Sequence, residues 1–95
     1  VRTRALGKTG LRVSELALGT WGLSGDGYGP VDEREQERVL ERALEMGVSI
    51  IETADAYGDG RMELAVGRAL AGRGEIVAVT KGGVDRTTSP PRRRF

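Results

Sequence analysis

The segment Gly47-Val-Ser-Ile-Ile-Glu-Thr-Ala-Asp-Ala-Tyr-Gly-Asp-Gly60 runs from an apolar stretch straight into a carboxylate, Glu52, and then reaches a tyrosine, Tyr57. Glycines bound it on both sides, so it reads as a buried strand that emerges into a loop. A carboxylate at the mouth of a buried strand is costly unless it is paired. A second apolar run, Ile76-Val-Ala-Val-Thr-Lys81, ends in a matching ammonium. Carboxylate, phenol and ammonium are therefore expected to meet at one edge of a sheet.

The flanking segments supply the rest of that sheet. Asp32-Glu-Arg-Glu35 pairs an N-cap residue with a glutamate three positions on, and Val39, Leu40, Ala43 and Leu44 then recur at helical spacing until Gly47. Met62 to Ala71 predicts a shorter helix, with Leu64, Gly67, Ala69 and Leu70 toward the sheet and Gly72 near its end. Strands are predicted over Glu15–Thr20, Val48–Thr53 and Glu75–Lys81, with a mobile glycine-rich loop from Trp21 to Pro30 after the first. Upstream, Arg4–Leu6 and Leu11–Val13 flank Gly7-Lys-Thr-Gly10 as a short hairpin. Strands alternating with helices predict an α/β fold of right-handed βαβ units around a parallel sheet. Residues 1–95 are expected to form a single partial domain, with the hairpin in 1–14 and the first βα units in 15–95. In such sheets the strand C-termini form the functional face. Thr20, Trp21, Glu52, Tyr57 and Lys81 all fall there.

Composition narrows the chemistry. The 95 residues are 31% charged with a net charge of +1, which gives no global reason to expect nucleic acid or an acidic membrane as partner. With neither Cys nor His, thiolate and imidazole chemistry are excluded and no metal site is expected, so any acid or base is Asp, Glu, Lys or Tyr. No apolar run approaches the ~20 residues that span a bilayer, and the N-terminus lacks a signal-peptide core, so a cytoplasmic location is the default. The glycines at 22, 25, 27 and 29 invite a phosphate-loop reading, but Gly25-Asp-Gly27 lacks the third glycine and the helix junction of a Rossmann fingerprint. The stretch Pro90-Pro-Arg-Arg-Arg-Phe95, with Arg86 nearby, reads as a solvated loop rather than a nucleic-acid tail.

A phenol beside an ammonium is a better proton donor, because the cation stabilises the phenolate left behind. Lys81 would assist Tyr57 in this way, and Glu52 would hold Lys81 in place. Such a set suits protonation of a carbonyl oxygen while hydride reaches the carbonyl carbon from a cofactor. By itself, the Glu52 and Lys81 pair reads more readily as a structural ion pair at a sheet edge, Tyr57 as a packed loop aromatic, and Trp21 equally as a barrel plug or a ligand contact.

Taken in order, Thr9-Gly-Leu-Arg-Val-Ser14, Leu18-Gly-Thr-Trp-Gly22, Glu52-Thr-Ala-Asp-Ala-Tyr-Gly58, Gly60-Arg-Met-Glu63, Gly67-Arg-Ala-Leu70 and Val79-Thr-Lys81 resemble the N-terminal part of an aldo-keto reductase. The resemblance implies the N-terminal fragment of a (β/α)8 TIM barrel, here a hairpin followed by three parallel strands alternating with helices. It implies an oxidoreductase that uses NADPH to reduce an aldehyde or ketone, a small-molecule carbonyl partner, and no nucleic-acid or membrane partner. It also implies Tyr57 as proton donor, Lys81 as the residue that tunes it and Glu52 as the third member, with Gly19, Thr20, Trp21 and Glu52 nearest the cofactor. Glu52 stands where the family ordinarily has Asp, and Met62 stands where it ordinarily has Ser, a minor change expected at a helix start. A complete barrel takes about 250 residues, so a fourth-strand histidine and most cofactor contacts would lie beyond this sequence. The alternative is a non-catalytic remnant or binding module that keeps the barrel N-terminus. An open sheet edge would favour self-association.

Overall fold

The computed structural model describes residues 1–94. It opens with β1 (Thr3–Ala5) and β2 (Arg12–Ser14), which pair antiparallel with Arg4 opposite Val13. Gly7 and Gly10 turn the chain between them at φ of 53° and 78°, in the left-handed region that glycine enters without steric cost. The hairpin is clasped to the body of the fold by two serines. Ser14 N–H donates to Ser49 Oγ at 2.8 Å and Ser49 N–H donates to Ser14 Oγ at 2.9 Å.

The parallel sheet consists of β3 (Leu18–Gly19), β4 (Ile50–Glu52) and β5 (Val77–Val79), in the order β3-β4-β5. These strands are shorter than the apolar runs predict. The ladder continues past them as single bonds, from Thr20 N–H to Glu52 O, Thr53 N–H to Val79 O and Asp55 N–H to Lys81 O. Between β3 and β4 runs α1 (Glu33–Glu45), capped by the Asp32 carboxylate, which accepts from Arg34 N–H at 2.8 Å. Between β4 and β5 runs α2 (Arg61–Leu70).

The core lies on the helix side of the sheet, where Ile51 is fully buried among Leu40, Met62, Ala65 and Val66. Each large apolar side chain buried there contributes roughly 1.5–3 kcal/mol. Side chains alternate along a strand, so burying Ile51 against the helices sends Ile50 and Glu52 to the opposite face. That alternation delivers the carboxylate to the open side of the sheet.

Two expectations are corrected here. Ala69 and Leu70 pack against the core as expected, but the rest of the inward face of α2 is Met62, Ala65 and Val66, whereas Leu64 is 65% exposed and Gly67 also faces outward. The helix docks through Met62, Ala65, Val66 and Ala69, a stripe at i, i+3, i+4 and i+7. Met62, at 1% exposure, is thus a core residue rather than a minor change at a helix start. The second correction concerns the arginine-rich stretch, where β6 (Val84–Asp85) and β7 (Arg92–Arg93) pair antiparallel in place of a free loop. Asp85 starts the reversal by accepting from both the hydroxyl and the amide of Thr87, and it pairs with Arg94 at 2.8 Å. Phe95, the last residue of the predicted loop, lies outside the described residues.

Candidate active site

Gly19, Glu52 and Val79 stand in one row across the ends of the three parallel strands. Glu52 Oε1 accepts from two donors, the Lys81 ammonium and the Tyr57 hydroxyl, the latter at 3.3 Å. Lys81 also donates to the Thr53 carbonyl at 2.9 Å, and its Nζ sits 4.9 Å from the centre of the Tyr57 ring. A Cβ at position 19 would lie 3.2 Å from Glu52 Oε2, so the missing side chain of Gly19 makes room for the longer carboxylate. The Lys81 side chain is 49% exposed, and an ion pair so open to water adds little stability, typically under ~1 kcal/mol. Fold stability alone therefore does not account for gathering these three groups.

The Lys81 ammonium packs on the face of the Tyr57 ring, and the phenol hydroxyl donates to Glu52. The extra methylene of glutamate carries the carboxylate far enough from the strand to reach the phenol.

Tyr57 begins a short 3-10 turn, Tyr57–Gly60, in which Gly58, Asp59 and Gly60 take φ of 59°, 54° and 89°. Asp59 is the one non-glycine residue at positive φ among the described residues. Two neighbouring loops hold this turn. The Asp26 carboxylate accepts from Gly58 N–H at 2.9 Å, while Arg86 donates to the Asp55 carbonyl at 2.7 Å and pairs with Asp59 at 3.1 Å. Sequence reasoning gave neither residue a role at the site, because no local spacing connects positions so far apart along the chain.

Thr20 is fully buried just beyond β3, and its Oγ1 has no hydrogen-bond partner; the same holds for Thr53 Oγ1. Trp21 is 43% exposed and opens a 3-10 turn, Trp21–Leu23, inside the stretch read as a mobile loop. Its ring meets Tyr28 edge-on at 5.3 Å and lies over Gly27, where a Cβ would approach it to 2.3 Å. An exposed indole beyond β3, a phenol beyond β4 and an ammonium beyond β5 form a donor set at neighbouring strand ends that would suit the nicotinamide end of a dinucleotide. Among the described residues no His, Cys, Asp and Glu cluster suits a metal ion, and no helix is long and apolar enough to cross a membrane.

A parallel βα sheet with these groups at its strand ends has the makings of a barrel oxidoreductase. The model of the aldo/keto reductase family matches residues 15–94, and the chain belongs to that family. It is 34% identical over 84 residues to the aldo-keto reductase YhdN of Bacillus subtilis, covering 85% of this chain and 25% of the relative. Among solved structures, the holo form of an aldo-keto reductase from Bacillus halodurans superposes with a TM-score of 0.82 at 33% identity, covering 98% of this chain and 30% of that one. An aldo-keto reductase from Klebsiella pneumoniae in complex with NADPH gives a TM-score of 0.58 at 36% identity, covering 75% and 24%. The chain spans about a quarter of the length of the curated relatives it matches.

Proposed function

We propose that this chain forms the first part of an NADPH-dependent reductase of aldehydes or ketones, in which Tyr57 protonates the carbonyl oxygen. The observation that carries this reading is the convergence of Tyr57 and Lys81 on Glu52 Oε1 at the end of the central strand. A nicotinamide held at these strand ends would supply the hydride. Tyr57 turns its hydroxyl from Glu52 to the substrate oxygen and gives up the proton as negative charge develops there. Lys81, held against the ring, offsets the charge of the phenolate that remains, and Glu52 keeps Lys81 from swinging into solvent. Trp21 would hold the nicotinamide ring through its exposed face, beside Gly19 and the buried Thr20 at the end of β3. The NADPH complex of the Klebsiella pneumoniae relative supports the choice of cofactor.

A second reading, a barrel segment that keeps the fold without turnover, is favoured by one contact: the phenol hydroxyl is already engaged by the longer carboxylate. The two readings separate in a chimaera that joins residues 1–94 to the remainder of the Bacillus subtilis relative. The reductase reading expects the chimaera to bind NADPH, followed by nicotinamide fluorescence, and to reduce a simple aldehyde. Tyr57→Phe should then abolish turnover while leaving NADPH affinity within about twofold. Absence of NADPH binding would overturn the reductase reading, and binding without turnover would select the second.

A further inference from the structure

We propose that Asp26 and Arg86 are positioning residues that together clamp the Tyr57 turn and so aim the phenol. The inference rests on the reductase reading above, but its geometry is independent of it. The Asp26 contact falls on the peptide that joins Tyr57 to Gly58, and rotation of that peptide swings the tyrosine relative to the strand end. Gly58 is buried, and a Cβ there would lie 3.4 Å from the Ser24 carbonyl, so the two loops already touch through their backbones.

Asp26 is itself braced. Ser24 Oγ donates to the Trp21 carbonyl at 2.6 Å and accepts from Asp26 N–H at 3.2 Å, which makes the Trp21–Asp26 stretch a fixed support. Arg86 holds the carbonyl of Asp55 and the carboxylate of Asp59, one contact before Tyr57 in the chain and one after it. Asp59 takes a left-handed conformation, which Asp adopts more readily than most non-glycine residues, and Arg86 pairs with its carboxylate there. The phenol hydroxyl lies 3.3 Å from Glu52 Oε1, near the outer limit of a hydrogen bond, so a small movement of the turn changes which acceptor the phenol can reach.

The test uses the chimaeric barrel with Asp26→Ala, Asp26→Asn and Arg86→Met. Asn keeps a carbonyl oxygen that can accept from Gly58 N–H, whereas Ala does not. Asp26→Ala should lower kcat by about tenfold to a hundredfold, with KM and NADPH affinity within about twofold, because misplacement of a reacting group acts on the chemical step. Asp26→Asn should recover most of that loss, and Arg86→Met should lower kcat as Asp26→Ala does. Hydrogen exchange at the Gly58 amide should quicken by about tenfold or more in Asp26→Ala and stay near the parent rate in Asp26→Asn. A kcat within twofold of the parent in Asp26→Ala, no recovery in Asp26→Asn, or unchanged Gly58 exchange would each overturn the proposal. If the parent chimaera turns over no carbonyl, the reductase reading has failed instead, and Gly58 exchange still decides whether the clamp exists.

Discussion

Replacing Glu52 with Asp tests the central cluster most directly. Aspartate shortens the side chain by one carbon–carbon bond, about 1.5 Å. The phenol hydroxyl now stands 3.3 Å from Glu52 Oε1, so the shorter carboxylate would leave them roughly 4–5 Å apart, beyond hydrogen-bonding distance. Lys81 would follow the retreating charge on its flexible stem, since it also keeps the Thr53 carbonyl as an acceptor at 2.9 Å. The phenol would then be released to the substrate while its ammonium stays in place. A hydrogen bond to a charged group is worth about 1.5–3 kcal/mol at good geometry. At 3.3 Å the lower end is the ceiling, so the ground state sheds at most about 1.5 kcal/mol of stabilisation that must otherwise be surrendered before proton transfer. That converts to a rise of up to about tenfold in kcat. Steady-state NADPH oxidation by the chimaera, with Glu52 and with Asp at this position, measures it. An unchanged or lower kcat would refute the reasoning and show that the longer carboxylate suits its site.

Met62→Ala should cost about 2–5 kcal/mol and lower the melting temperature in thermal unfolding, because Met62 is buried against Leu40 and Ile51. Gly27→Ala should displace the Trp21 ring, since a Cβ at 2.3 Å cannot coexist with the indole where it lies; a shifted indole N–H resonance of Trp21 would show it, and an unmoved one would contradict the contact. The Asp85 carboxyl is held below the usual carboxylate range, first by the Thr87 hydroxyl and amide and then by Arg94, against the opposing effect of partial burial. Because its folded value is depressed, its contribution to the second hairpin is present above the unfolded value and is lost as pH falls through the folded one. A carboxyl resonance of Asp85 that titrates at or above the ordinary value would count against those contacts.

The features legible in the sequence are those encoded locally. Asp32 and the apolar spacing that follows it mark α1, the glycines at 7 and 10 mark the first hairpin turn, and alternation of strand with helix makes the sheet parallel. Glu52 and Lys81 were also legible, because a charge at the end of an apolar run demands a partner and neighbouring parallel strands lie about 4.8 Å apart. The facing side of α2 was not legible. Met62, Ala65, Val66 and Leu64 are all apolar, and only docking against α1 and β4 selects which of them turn inward. The β6 and β7 hairpin was missed because four arginines and two prolines read as solvated, while the Asp85 contacts that reverse the chain add no apolar pattern.

By itself, then, the sequence determined the order and type of the elements from β1 to β5 and the face on which the polar groups gather, since both follow from periodicity and from the cost of an unpaired buried charge. Only the tertiary structure decided which oxygen the Tyr57 hydroxyl addresses, and that Asp26 and Arg86 grip its turn. Those contacts join loops brought together by the sheet. Their existence depends on loop paths and on one methylene of side-chain reach, neither of which leaves a periodic mark along the chain.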